Sequence, residues 1–199
     1  MKGYATPSSP FGRKVRMVAI ETGQRDLIEW RMLTREERAK IVPAFNPLGK
    51  VPVVVLDSGE VLYDSPVICA YVDSLHDGPK LIPTDAAGRW RSLRLEALGD
   101  GLTEAVVAVA LEQAKPEGER VQAVIERQGG KVASALAALD AEAKAFRDPL
   151  TVGEIAVACA LGYLEYRSVS PDWRGRYGAL ASWYDRLSAR PSFAETLPA

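Results

Sequence analysis

The sequence predicts an α/β amino-terminal domain followed by an all-α carboxy-terminal domain. Three observations carry that prediction. Up to residue 77, short apolar strand-like runs alternate with amphipathic helical patterns. At Asp77-Gly78-Pro79 the composition shifts, and Pro83 closes a short linker. Beyond it, every periodic segment has helical spacing. The expected partition is residues 1–77, a linker over 78–86, and a helical domain over 87–199.

The first strand is the apolar opening at Tyr4-Ala5. The stretch Ser8-Ser9-Pro10-Phe11-Gly12-Arg13-Lys14-Val15-Arg16 follows, with apolar positions at Phe11, Val15, Val18, Ala19 and Thr22. That spacing is one face of a helix. Ser9 is the natural N-cap, and Pro10 takes the first helical position, where a missing N–H costs nothing. A helix N-terminus has unpaired amide donors and a partial positive charge, so it favours an anion. Taken alone, Ser9 is a cap and Arg13, Lys14 and Arg16 are a solvated face. The alternative is that Ser9 also holds a reactive anion.

Gly23 ends this helix, and Leu27, Ile28, Trp30 and Met32 predict a second strand. The polar run Arg35, Glu36, Glu37, Arg38 and Lys40 predicts a short helix. Asn46-Pro47-Leu48-Gly49-Lys50-Val51-Pro52 is a turn running into the strand Val53-Val54-Val55-Leu56. Asp57-Ser58-Gly59-Glu60 then makes a hairpin turn, with Val61-Leu62-Tyr63 as the returning strand. Asp64-Ser65-Pro66 opens a third helix, apolar at Ile68, Tyr71, Val72 and Leu75. The order β-α-β, link, β-β-α is that of a thioredoxin-type sheet. Pro52 stands at the mouth of an apolar strand, where it fits a cis peptide or an ordinary trans proline at the first strand residue. Both Ser-Pro helix starts would emerge at one sheet edge and make one anion-attracting cleft.

In the second domain, Trp90, Leu93, Ala97, Gly101 and Ala105 mark one face of a fourth helix. Pro116 and Gly118 break the chain before a fifth helix bearing Val121, Val124, Ile125, Val132, Leu136 and Leu139. Gly129-Gly130 inside it costs roughly 2 kcal/mol relative to alanine, so a kink or short break is expected there. Leu150-Thr151-Val152-Gly153-Glu154-Ile155 is the clearest helix start. Thr151 and Glu154 form a capping box, and Leu150 and Ile155 flank it as a hydrophobic staple. Residues 156–164 are apolar all round, which predicts a central, buried helix. A last helix is expected from Arg176 to Ala189, before Pro191.

At 199 residues the chain can bury a substantial core. A net charge of −1 argues against nucleic-acid binding through bulk electrostatics. The longest apolar run falls short of a membrane span, and the first residues lack a signal-peptide pattern. Cys69 and Cys159 are isolated, without CxxC spacing, and predict buried thiols in a reducing, cytoplasmic compartment. His76 is the only histidine, so neither a metal site nor a histidine-based triad is expected.

These pieces, in this order and over nearly the whole chain, resemble a glutathione S-transferase. The motifs that carry the resemblance are SSPFGRKVR, NPLGKVP, the YDSP opening the third helix, and LTVGEI before the buried helix. Glu96-Ala97-Leu98-Gly99-Asp100-Gly101 adds a likeness to the bacterial YibF-type group of that family. The resemblance implies glutathione as co-substrate, a small electrophilic second substrate and a homodimer. It implies that Ser9 donates a hydrogen bond to the glutathione sulfur, and that the Val51 main chain, ahead of Pro52, pairs with the cysteinyl backbone. Asp64 and Ser65 would grip the γ-glutamyl end. Lys50 would reach a carboxylate of the tripeptide, and Asp100 would approach glutathione in a neighbouring subunit. Glu154 departs from the aspartate of many relatives, but glutamate reaches back similarly.

Redox enzymes of the thioredoxin fold use Cys-Pro-x-Cys at this helix start, because the first sulfur forms a mixed disulfide. Here the positions read Ser9-Pro10-Phe11-Gly12, which disfavours that chemistry and favours activation of an external thiol. The electrophile is expected between the first helix and the fourth and last helices, with Phe11, Trp173 and Tyr177 as candidate walls. Within the family a maleylacetoacetate-isomerase or dehalogenase role stays open, although the zeta-type SSCSWRVR signature is absent. The alternative outside catalysis is a non-enzymatic interaction module of the same fold. Such proteins often lose the glutathione-contacting residues, which this chain retains.

Overall fold

The computed structural model describes residues 1–198. They form two compact units, one of Met1–Arg89 with the segment from Pro191 onward, the other Trp90–Arg190.

In the first unit, strands β1 (Lys2–Ala5), β2 (Glu29–Met32), β3 (Val53–Val55) and β4 (Val61–Leu62) form one sheet in the order β2-β1-β3-β4. β1 runs parallel to β2 and antiparallel to β3, which is antiparallel to β4. Helix α1 (Pro10–Glu21) crosses between β1 and β2, α2 (Arg35–Ile41) follows β2, and α3 (Ser65–Ser74) follows β4. The two-residue period of strands divides the core. Tyr4 pairs with Val53 on one face and Gly3 with Val54 on the other. On the first face Val53, Leu33 and Val42 pack with Tyr4 and Phe45, whose rings stack at 5.0 Å. Helices α1 and α3 pack against each other, burying Val15, Val18, Ile68 and Val72. The Val51–Pro52 peptide bond is cis.

The second unit comprises α4 (Ala86–Gln113) from Trp90 onward, with α5 (Gln122–Glu142), α6 (Val152–Tyr166), α7 (Trp173–Arg176) and α8 (Gly178–Leu187). Every residue of α6 from Val152 to Leu164 is buried, as the apolar run over 156–164 predicts for that part. The Thr151–Glu154 capping box is made. Thr151 N–H donates to Glu154 Oε2 at 3.0 Å, and the Thr151 hydroxyl donates to the same oxygen. The fully buried Glu154 also accepts from Arg91 Nη1 at 3.2 Å and from the Arg147 N–H at 3.1 Å. Two glycines let α4 and α6 touch. A Cβ on Gly153 would sit 2.5 Å from the Ser92 carbonyl oxygen, and one on Gly99 would sit 2.8 Å from the Ala156 carbonyl carbon.

The structure refines four of the sequence readings. The face of α4 marked by Trp90, Leu93, Ala97, Gly101 and Ala105 is mixed: Trp90, at 67%, Ala97 and Gly101 are exposed, Leu93 is half-buried and Ala105 is buried. The buried face is Ser92, Leu95, Glu96, Gly99, Leu102, Thr103 and Val106, which mixes polar and small residues and so hid from an apolar count. Helix α5 runs unbroken through Gly129-Gly130, its second half held by buried Val132, Ala135, Leu136 and Leu139. The helix expected from Arg176 to Ala189 is α8 (Gly178–Leu187), but it is not the last, because Pro191 opens a further short helix, α9 (Pro191–Ala194). Finally, the expected domain 87–199 loses its carboxy-terminal segment to the first unit. That segment is tied to α1: Arg13 donates to the Phe193 carbonyl and Thr196 hydroxyl, and Arg16 to the Glu195 carbonyl. The Ser192 hydroxyl donates to Glu21.

Candidate functional site

Strand register brings the predicted residues together. β1 leads into α1, β3 begins directly after Pro52, and β4 ends two residues before Asp64. Tyr4 pairs with Val53 and Val54 with Leu62, both antiparallel. The end of β1, the start of β3 and the end of β4 therefore lie at one edge of the sheet. Ser9, Val51–Pro52 and Asp64–Ser65 all follow or precede those strand ends.

Ser9 is the N-cap of α1, in extended conformation at φ −69° and ψ 116°. Its Oγ accepts the Gly12 N–H at 3.1 Å. This bond uses a lone pair of the hydroxyl and leaves its proton to be donated elsewhere. Capping and anion binding are thus compatible at a single side chain. Gly12 is required by the same geometry, since a Cβ there would stand 2.9 Å from Ala5 Cβ and 3.4 Å from Ser9 Oγ. The basic cluster read as a solvated face is instead drawn inward: Arg13 and Lys14 are buried and Arg16 is half-buried. Burial holds the Arg16 guanidinium below the usual arginine range, with the neighbouring Arg13 charge acting the same way.

Asn46 organises the loop that carries Lys50 and Val51. It is 1% exposed, its Nδ2 donates to the Lys50 carbonyl at 2.9 Å, and its Oδ1 accepts the Leu48 N–H at 3.0 Å. Gly49, at φ 62°, makes the left-handed step that lets the loop reverse. Lys50 is exposed, Val51 half-buried and Pro52 buried. On the third segment, Asp64 is the N-cap of α3, and its exposed side chain makes no capping bond. Ser65 at the first helical position is buried. An exposed carboxylate beside an amide-rich helix start can meet an ammonium and a carboxylate on one ligand.

Asn46, Gly12 and Arg13 were not singled out as site residues from the sequence. The Asn-Pro pair signals the turn at residue 46, but the carbonyl that Asn46 holds becomes visible only once the loop closes. Of the proposed electrophile walls, Trp173 is 1% exposed and packs edge-on against Tyr184 at 5.8 Å. It is a core ring of the helical unit. The Tyr177 hydroxyl donates to the Ala133 carbonyl at 3.3 Å. Among the described residues, no three His, Cys, Asp or Glu side chains cluster to hold a metal ion. Among those residues, too, no helix is long and apolar enough to cross a membrane.

The family profile described as glutathione S-transferase, N-terminal domain, matches residues 8–75, and that described as the C-terminal domain matches residues 122–186. The Escherichia coli (strain K12) protein described as uncharacterized GST-like protein YibF is 34% identical, over all of this chain and 98% of its own. A glutathione transferase family member from Pseudomonas fluorescens Pf-5, solved with bound glutathione, superposes with a TM-score of 0.94 at 39% identity. That match covers 100% of this chain and 98% of that one. A structure from the same organism with bound S-(propanoic acid)-glutathione gives a TM-score of 0.90 at 39% identity, covering all of both chains. With both family domains matched and full-length similarity to such relatives, the chain belongs to the glutathione S-transferase family.

Proposed function

We propose that this chain is a serine-type glutathione transferase, in which the Ser9 hydroxyl donates to the sulfur of glutathione and keeps it ionised for attack on a small electrophile. The observation that carries the reading is the Ser9 cap. Its oxygen is occupied by the Gly12 N–H while its proton is chemically available. The bound glutathione and glutathione conjugate in the Pseudomonas fluorescens structures support it.

The magnitudes suffice. A thiol with a pKa of about 8.5 is only about 3% ionised at neutral pH. Lowering that pKa by about two units needs about 2.7 kcal/mol of selective stabilisation. A hydrogen bond to a charged sulfur supplies about 1.5–3 kcal/mol. The start of α1 adds about 0.3–1 kcal/mol. In this reading the Val51 backbone pairs with the cysteinyl backbone, and Asp64 and Ser65 take the γ-glutamyl ammonium and carboxylate. Lys50, exposed at the loop tip, takes another carboxylate. The electrophile is a carbon centre, a peroxide or an isomerisable double bond, and the location is cytoplasmic. The functional form is a homodimer. Trp90 and Leu111, 67% and 64% exposed on α4 with accessible Ala97 and Gly101 between them, offer large apolar side chains to a second copy on a face they share with the exposed Arg94 and Glu104.

The test pairs glutathione titration calorimetry with turnover of an aryl halide. Saturable binding, with kcat/KM reduced roughly 10- to 150-fold in Ser9→Ala, is expected from the loss of one charge-assisted hydrogen bond. Equal turnover in the variant removes the catalytic role of Ser9. Failure to bind glutathione, with recovery in a large complex, returns the non-enzymatic reading.

A further inference from the structure

Arg13 is a buried cation of this unit that the proposed chemistry leaves unused. It is 4% exposed, and its backbone N–H bonds the Ser9 carbonyl at 2.9 Å, one turn below the cap. The carboxy-terminal segment encloses its guanidinium. Nε donates to Thr196 Oγ1 at 3.2 Å, Nη2 to the Phe193 carbonyl at 3.2 Å, and the group lies 4.5 Å from the Phe193 ring centroid. Nη1 is buried and has no hydrogen-bond partner. Every partner is neutral, and no carboxylate among the described residues lies within ion-pairing distance of Arg13. A guanidinium does not lose its proton in proteins, so Arg13 carries a buried charge whose hydrogen-bond partners among the described residues are neutral.

We infer that the buried Arg13 charge helps set the pKa of the thiol held at Ser9, and that the segment from Pro191 onward belongs to the activation machinery because it fixes that charge beneath the helix start. The inference rests on the reading of Ser9 as the thiol's donor. Residues 9 and 13 are four apart and share a helix face, and helical side chains lean toward the N-terminus. A unit charge roughly 10 Å from the sulfur, at an effective dielectric of about 20, lowers a thiol pKa by about one unit.

The surrounding charges leave this field standing. On α1, Arg16 adds to it and donates to a carbonyl, and Glu21 accepts from Ser192. On the carboxy-terminal segment, the Glu195 carboxylate is taken bidentately by Arg25. On α3, Asp73 accepts from Leu81, Ile82 and His76 at the end remote from the site, and at the near end the Asp64 carboxylate is exposed to solvent, which screens it.

The experiment follows the ultraviolet absorbance of the thiolate of enzyme-bound glutathione against pH. It compares the wild type with Arg13→Gln, Arg13→Lys, Thr196→Asp and Ser9→Ala. Arg13→Gln removes the charge and keeps a donor. Thr196→Asp keeps the guanidinium and neutralises its field, so it makes the same test if the glutamine variant does not fold. Both should raise the thiol pKa by about one unit, with Arg13→Lys staying within about 0.3 units of wild type. Unchanged values in folded Arg13→Gln and Thr196→Asp, with Ser9→Ala still raised, overturn the inference and leave the Ser9 reading intact. A shift in Arg13→Lys as large as in Arg13→Gln assigns the effect to fork geometry and also overturns it. No shift in Ser9→Ala sinks the Ser9 reading instead.

Discussion

In the proposed reading the hydroxyl at residue 9 serves a helix and a ligand at once, because its acceptor and donor functions are separate. Carboxylate caps share the first function and lack the second. Ser9→Asp should therefore melt within about 1 kcal/mol of wild type, since Asp and Ser cap about equally well. Its glutathione turnover should nevertheless fall at least as far as that of Ser9→Ala, because a carboxylate repels the thiolate. Thermal melts and kcat/KM on the same preparations check this; joint loss of fold and activity would reduce Ser9 to a cap. The cap was legible from Ser-Pro ahead of an amphipathic run. The burial of Arg13 was not, since a basic triplet on a helix reads as solvated until the segment 180 residues later is known to cover it.

At the scale of elements, caps and close contacts decide which helices can form the core. Glu154 joins the amino-terminal end of α6 to Arg91 of α4 and to the Arg147 backbone, beyond its own capping box. Gly153 next to it admits the Ser92 carbonyl. Gly153→Ala should cost about 1–3 kcal/mol by overpacking, and Thr151→Ala about 1 kcal/mol by loss of the cap. Urea unfolding measures both, and a larger loss for Thr151→Ala would contradict this ranking. The α4–α5 junction supplies a pH dependence. The Lys115 ammonium, and then the Val121 N–H, hold the Glu112 carboxyl below its usual range. A carboxylate depressed on folding stabilises above its unfolded pKa, and the contribution is lost as pH falls through the folded value. The stability gap between wild type and Glu112→Gln should therefore be full at neutral pH and close below about pH 4. A gap that widens on acidification would contradict the assignment. The capping box of α6 could be read from five residues, because caps are local. The rotation of α4 could not: its buried side is Ser92, Glu96, Gly99 and Thr103 among leucines and a valine, and only the neighbouring helix says which side is covered.

At the scale of the whole molecule, the sequence order of strands and helices was enough to anticipate the sheet. Its turns and alternating patterns are local signals, and the antiparallel register then draws three loops to one edge. The return of the carboxy terminus to the first unit was not foreseeable, since it depends on contacts between residues more than 170 apart. The exposed Trp90 and Leu111 of α4 belong to the surface on which the proposed homodimer depends. Trp90→Glu should convert a dimer into a monomer in sedimentation experiments, with the helical content kept. A protein already monomeric at micromolar concentration would exclude that use of the face. The claim on which the rest turns is the hydrogen bond from Ser9 to a ligand thiolate. A crystal structure with glutathione tests it most directly: the sulfur should lie within hydrogen-bonding distance of Ser9 Oγ, with Gly12 N–H still on the same oxygen. A sulfur turned away from that hydroxyl, or an empty cleft at saturating glutathione, would contradict it.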